Sequence, residues 1–157
     1  MRKLLFIHPF TYMLTPTFMT PEHYRHMEQV YLKAPINKFY NLTIEVSEAQ
    51  AAISMVVKEH HFHLGGSMHG AMYFKMLDDA AFFAVASIVP DNFILTASFD
   101  VHFLKPVTEG RIGAVGTVKY RSKSTFIAHA TLYDQEQQEV AIGTGTFRRS
   151  KMPWPKV

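Results

Sequence analysis

The chain of 157 residues contains no cysteine. That excludes disulfides, Cys-ligated zinc and a thiol nucleophile together, and it suits a reducing compartment. Long apolar runs are missing too. None approaches 18 residues without a charge, so no membrane-spanning helix is expected. There is no low-complexity tract and no internal repeat, and the 8 Gly and 8 Pro are scattered. Charge of one sign is in short supply: 16 Lys and Arg stand against 13 Asp and Glu, a formal +3. The bases form no basic–aromatic stripe, which speaks against nucleic acid and leaves a phosphorylated small ligand as the sharper reading. The start, Met1 to Pro9, briefly imitates a signal peptide, but its apolar run breaks after four residues and no small-x-small cleavage site follows. A cytoplasmic protein is expected.

What is present is enough apolar side chain, 48%, for one ordinary globular core. Residues 1–19 lack periodicity and read as an arm. Thr20-Pro21-Glu22 then has the form of a helix start, with a capping hydroxyl, Pro at the first helical position and an acid in the first turn. Tyr24, Met27, Tyr31 and Ala34 follow at helical spacing up to Pro35. Tyr40, Leu42, Ile44 and Val46 alternate with polar residues, as do Ile53, Met55 and Val57, predicting two strands. Ser67 to Val89 reads as about six turns of apolar helix, with Lys75, Asp78 and Asp79 its only charges. Four more strands are expected. In the first, Ala97, Phe99, Val101 and Phe103 face one way and Thr96, Ser98, Asp100 and His102 the other. Ile112–Tyr120, Thr125–Tyr133 and Val140–Arg148 complete the set.

A helix apolar nearly all round must be covered on most sides. An antiparallel sheet of five to six strands wrapped around it is the economical answer, an α+β architecture with an extra N-terminal helix. The predicted division is an arm and helix over 1–35, the main domain over 36–150 and a tail over 151–157. Open sheet edges argue for at least a homodimer, with a dimer-of-dimers tetramer equally compatible.

Within that helix, charge conflicts with pattern. Asp79 lies four residues after Lys75 and can pair with it. Asp78 has Phe74, Lys75, Ala81 and Phe82 as its three- and four-residue neighbours, company in which a structural acid is rare, and it can serve as nucleophile or general base. With Ser67 as N-cap, the amides of Met68, His69 and Gly70 lack intrahelical partners and suit a developing oxyanion. Gly70 lies eight residues before Asp78, about 12 Å along a regular helix. One carbonyl cannot touch both groups of one chain, so acid and amide are expected to come from two subunits. His60, His61, His63 and His69 complete no metal-ligand pattern, and no metal or other cofactor is expected; His60 and His61 read as surface or strand-edge residues.

The pattern His69-Gly70-Ala71, with Leu77-Asp78 nine residues after the His, resembles the hotdog-fold acyl-CoA thioesterases of the PaaI (phenylacetic acid degradation) type. The likeness continues through Thr96-Ala-Ser-Phe-Asp-Val-His-Phe-Leu-Lys-Pro106 and covers roughly residues 36–150. It implies a hotdog fold and hydrolysis of an acyl-CoA to free acid and CoA. By the same resemblance Asp78 is nucleophile or base, the Gly70 amide meets the thioester carbonyl, and Thr96 is the assisting hydroxyl. His63 stands where the family has a water-holding Asn, and Ala71 where it has a second Gly. His69, Ala71 and Ser98 are the expected substrate contacts. A hotdog dehydratase reading, opened by His61-Phe62, lacks its acid because the fourteenth position is Lys75. A non-catalytic acyl-CoA-binding protein on the same fold is the rival that the His63 departure favours.

Overall fold

The computed structural model describes residues 19–156, so the N-terminal arm lies outside the described residues. Helix α1 (Pro21–Lys33) starts at the Thr20-Pro21 signal, although Thr20 makes no side-chain cap bond to the backbone, and it buries Met27 and Tyr31. A 3-10 turn over Pro35–Phe39 then displaces the start of the first strand, so β1 spans Thr43–Ser47. Next come β2 (Gln50–Val56), helix α2 (Gly70–Ala86), β3 (Ile94–Phe103), β4 (Arg111–Arg121), β5 (Thr125–Tyr133) and β6 (Glu139–Arg149).

The six strands form one antiparallel sheet in the order β1-β2-β4-β5-β6-β3. Helix α2 contacts every strand, which is what its all-round apolarity requires. Ten of its residues are buried, among them Met76, Leu77, Ala80 and Val85. The helix lies close against the sheet at Gly116 of β4, where a Cβ would fall on the backbone carbonyl of Ala80. This is the hotdog architecture, with α1 lying outside against β1. The C-terminal segment also packs: Trp154 donates its indole N–H to the Val89 carbonyl at 2.8 Å and stacks edge-on against Phe82 and Phe93.

Two further details differ from the expected pattern, and both bear on the candidate site residues. Helix α2 begins at Gly70 rather than Ser67, with His69 as its N-cap. Strand β3 does not alternate throughout: its register against β6 shifts between Thr96 and Ser98. Thr96 pairs with Phe147, whose side chain is buried, while Ser98 pairs with Thr146. The bulged Ala97 therefore turns Thr96 to the helix side and leaves Ser98 on the outer face. Among the described residues no helix is long and apolar enough to cross a membrane.

Candidate active site

The segment before α2 is held as a tight turn. His63 N–H donates to the Ser67 carbonyl at 2.9 Å, and Gly66 N–H returns to the His63 carbonyl at 3.0 Å. Gly66 has a φ of +78°, in the left-handed region open to glycine. Met68 N–H is taken by Val107 and His69 N–H by His61, so neither is an orphan of the helix start as the Ser67 cap had implied. His69 caps instead: its Nδ1 accepts the Ala71 N–H at 3.0 Å and its carbonyl accepts the Met72 N–H at 2.9 Å. That leaves Gly70 N–H without a partner among the described residues, at the positive end of α2. Sequence reasoning missed this cap because histidine is not among the side chains that usually fill the position.

Gly70 opens on a cavity of about 380 Å³ that His63, Ser67, Tyr73, Phe103 and Lys105 also line. Tyr73 fixes its far wall, donating its hydroxyl to the Lys105 carbonyl at 3.0 Å and accepting the Val107 N–H at 2.8 Å. A Cβ at Gly70 would press on the Phe103 ring at 3.3 Å. Both ring nitrogens of His63 are engaged within the turn, Nδ1 with Gly65 N–H at 2.9 Å and Nε2 with the Ser67 hydroxyl at 2.9 Å.

The carboxylates lie two turns along α2. Thr96 donates its hydroxyl to Asp78 Oδ1 at 3.1 Å. Burial pushes the Asp78 carboxyl up to about 6, and the nearby Asp79 charge adds to the rise; the Thr96 bond and the Lys75 charge oppose it. Asp79 is a different case. Its Oδ2 is paired with Lys75 Nζ at 2.6 Å, both side chains being largely buried, and it also accepts the Tyr31 hydroxyl of α1 at 3.0 Å. Lys75 in turn lies over the Tyr31 and Tyr40 rings. Burial raises Asp79, and its two donors oppose the rise. The Lys75 pairing is the expected one. Tyr31 was not foreseen, because nothing in the sequence ties α1 to α2.

Of the other expected residues, His69 and Ala71 are exposed at the helix start and Ser98 is exposed on the outer face of β3. His61 overturns its reading as a surface residue. It sits in a 3-10 turn over Glu59–His61, is 4% exposed, and packs edge-on against His60 with 4.3 Å between ring centroids. His60 is exposed as expected. Among the described residues no three His, Asp or Glu side chains are grouped to hold a metal ion.

One helix thus carries two separate groups of candidate residues: Gly70 with His63 at its start, and Asp78 with Thr96 eight residues later. Strand β3 links them, since Phe103 at its end touches the Gly70 cavity and Thr96 near its beginning touches Asp78. Among the described residues only β6 pairs with β3, which leaves its other edge without a strand partner there, beside the exposed Phe74, Leu95, Phe103 and Leu104.

The family model described as Thioesterase superfamily matches residues 65–141. A Saccharolobus solfataricus protein named "Putative esterase SSO1253" is 29% identical over 84 residues, 54% of this chain and 56% of that relative, so the chain spans just over half of the relative's length. Among solved structures, the Escherichia coli PaaI protein from the phenylacetic acid degradation operon superposes with a TM-score of 0.76 at 20% identity, covering 84% of this chain and 96% of that one. A mutant of a Staphylococcus aureus thioesterase enzyme gives 0.71 at 18%, covering 74% and 99%. A mutant of the Thermus thermophilus phenylacetic acid degradation protein PaaI gives 0.68 at 21%, covering 74% and 100%. These structural likenesses establish the fold.

Proposed function

We propose that the chain is a thioesterase of the superfamily whose model matches residues 65–141, and that it hydrolyses acyl-CoA thioesters at a site shared by two copies. The observation that carries this reading is the unpartnered Gly70 N–H beside a cavity, with a buried, weakly acidic Asp78 too far along the same helix to share its substrate. The 12 Å rise between them, about eight residues at 1.5 Å, is the separation of a regular helix. Two β3 strands meeting antiparallel at their open edges would bring the Phe103 end of one beside the Thr96 end of the other. Each Gly70 would then face the partner's acid, and the exposed apolar side chains along the edge would be covered.

Gly70 N–H polarises the thioester carbonyl. Asp78 takes a proton from water as the water oxygen bonds to the carbonyl carbon, or attacks that carbon itself to give an anhydride that water then opens. In either route the carbon–sulfur bond breaks, CoA leaves as the thiol, and the acid departs with one water oxygen. Thr96 holds Asp78, and Lys105 at the cavity rim suits a CoA phosphate. The dehydratase alternative is disfavoured further because Lys75, at the position of its missing acid, is tied to Asp79.

A second reading, an acyl-CoA binder without turnover, draws support from His63, whose two nitrogens are both occupied inside the turn. A coupled thiol-release assay across short, long and aryl acyl-CoAs separates the two. Thiol release by the natural chain, lost in Asp78→Asn, is expected; binding with no thiol released favours the binder, and equal turnover in Asp78→Asn removes Asp78 from the mechanism.

A further inference from the structure

Ser67 has a single side-chain partner among the described residues, His63 Nε2 at 2.9 Å. The direction of that bond follows from the other side of the ring. Nδ1 accepts the Gly65 N–H, so in the neutral imidazole the proton sits on Nε2. Nε2–H therefore donates to Ser67 Oγ. Ser67 cannot pass its own proton to this ring, which excludes a Ser–His nucleophile pair. What remains is a hydroxyl whose lone pair is held and whose proton has no acceptor among the described residues.

The turn fixes that arrangement. A Cβ at Gly65 would meet His63 Cε1 at 2.8 Å, so the ring occupies space that only glycine leaves open. The His63 main chain is bonded at both its N–H and its carbonyl. Ser67 and Gly70 line the same cavity, three residues apart across the helix start.

From this geometry we infer that Ser67 is a second donor to the thioester oxygen beside Gly70 N–H, and that His63 is a positioning residue acting through Ser67. The inference rests on the thioesterase reading above. As the nucleophile adds, negative charge grows on the carbonyl oxygen, and the Ser67 O–H and the Gly70 N–H both serve it. Ser67 forms no covalent bond and keeps its proton throughout. The imidazole, in the place of an Asn that would touch water directly, sits one hydrogen bond further back.

The test compares acyl-CoA turnover by the natural chain with Ser67→Ala, Ser67→Thr, His63→Ala and the Ser67→Ala/His63→Ala double variant, with melting followed throughout. Ser67→Ala should lower kcat on the order of 100-fold, with KM within about threefold and an unchanged melt. Ser67→Thr, which keeps the hydroxyl, should retain most of the rate. His63→Ala should lower kcat on its own and cost nothing further in the Ser67→Ala background. An undiminished kcat in Ser67→Ala would overturn the inference and leave the thioesterase reading standing, as would a His63→Ala loss equally large with and without Ser67. A natural chain that hydrolyses no acyl-CoA would overturn both. Independently of activity, nitrogen-15 spectra of His63 at neutral pH should report the Nε2–H tautomer; a proton on Nδ1 contradicts the inference directly.

Discussion

Thr96 reaches Asp78 at 3.1 Å only because β3 bulges at the residue between Thr96 and Ser98. An unbroken alternation would have turned the hydroxyl away from α2 and left the acid with burial alone. The bulge thus places an opposing influence beside a group that burial drives toward neutrality.

The pH profile should register that bond. With Asp78 needed as carboxylate, kcat/KM should rise as pH increases through about 6 and level off above it. Thr96→Val removes the interaction that favours the charged form, so the rising limb should move to higher pH. A limb that stays in place, or moves to lower pH, removes Thr96 from the tuning of Asp78.

Asp78 should also be a stability liability. Its folded-state value, about 6, lies above the ordinary 3.8, so between those values the folded state binds more protons than the unfolded one. Stability therefore falls as pH rises from about 4 to about 6 and stays lower above it. Asp78→Asn keeps an acceptor for Thr96 without the charge. It should lose thioester hydrolysis by at least about 100-fold while gaining on the order of 2 kcal/mol at neutral pH. Thermal melts at pH 4 and pH 7.5 check this: the two chains should differ little at the lower pH, and the variant should melt higher at the upper.

Asp79 has a structural task. Tyr31→Phe deletes one of its two donors and leaves the Lys75 pair in place. The cost should be about 1–2 kcal/mol, with turnover per folded molecule unchanged. Denaturant unfolding beside the thiol-release assay reads both quantities. A large loss of kcat in Tyr31→Phe would show that Asp79 takes part in the chemistry.

Gly116→Ala tests the packing that fixes α2 against the sheet. The added methyl falls on the Ala80 backbone, which cannot rotate aside, so the helix must shift or the fold must loosen. The variant should be destabilised by about 1–3 kcal/mol or more, and because the shift moves Asp78, two residues from Ala80, kcat should fall with it. Unchanged unfolding and turnover would mean that helix and sheet are less closely seated at Gly116.

The architecture was legible because its determinants are local and periodic. The apolar alternation of β1 and β2 and the nearly all-apolar α2 each follow from hydropathy period. The strand Thr125–Tyr133 matches its expected bounds, and α1 starts at its Thr20-Pro21 signal. The Lys75–Asp79 pair was legible from helical spacing alone. What escaped depends on a break in period or on contacts distant in sequence. A bulge leaves no sequence mark when its residue is an ordinary Ala97. Capping by His69 and the hydrogen bond from Tyr31 to Asp79 are visible only once the chain has folded. His61 reads as a polar surface residue, but Tyr40 packs against it and Lys58 N–H takes its Nδ1.

The central claim is that amide and acid act from different chains. Gly70→Pro is a sharp probe of the amide: Pro is favoured at the first helical position, and His69 already has the extended backbone, φ −66° and ψ 141°, that a following Pro requires. It deletes the N–H without breaking the helix, and Gly70→Ala, which adds the same Cβ against Phe103 but keeps the N–H, separates loss of the amide from that contact. Gly70→Pro and Asp78→Asn should each be inactive alone. Unfolded and refolded together with distinguishable tags, they should regain about a quarter of natural activity, because half the dimers are mixed and each mixed dimer rebuilds one intact site. Tagged mixed dimers that form but stay inactive would contradict a site shared between chains.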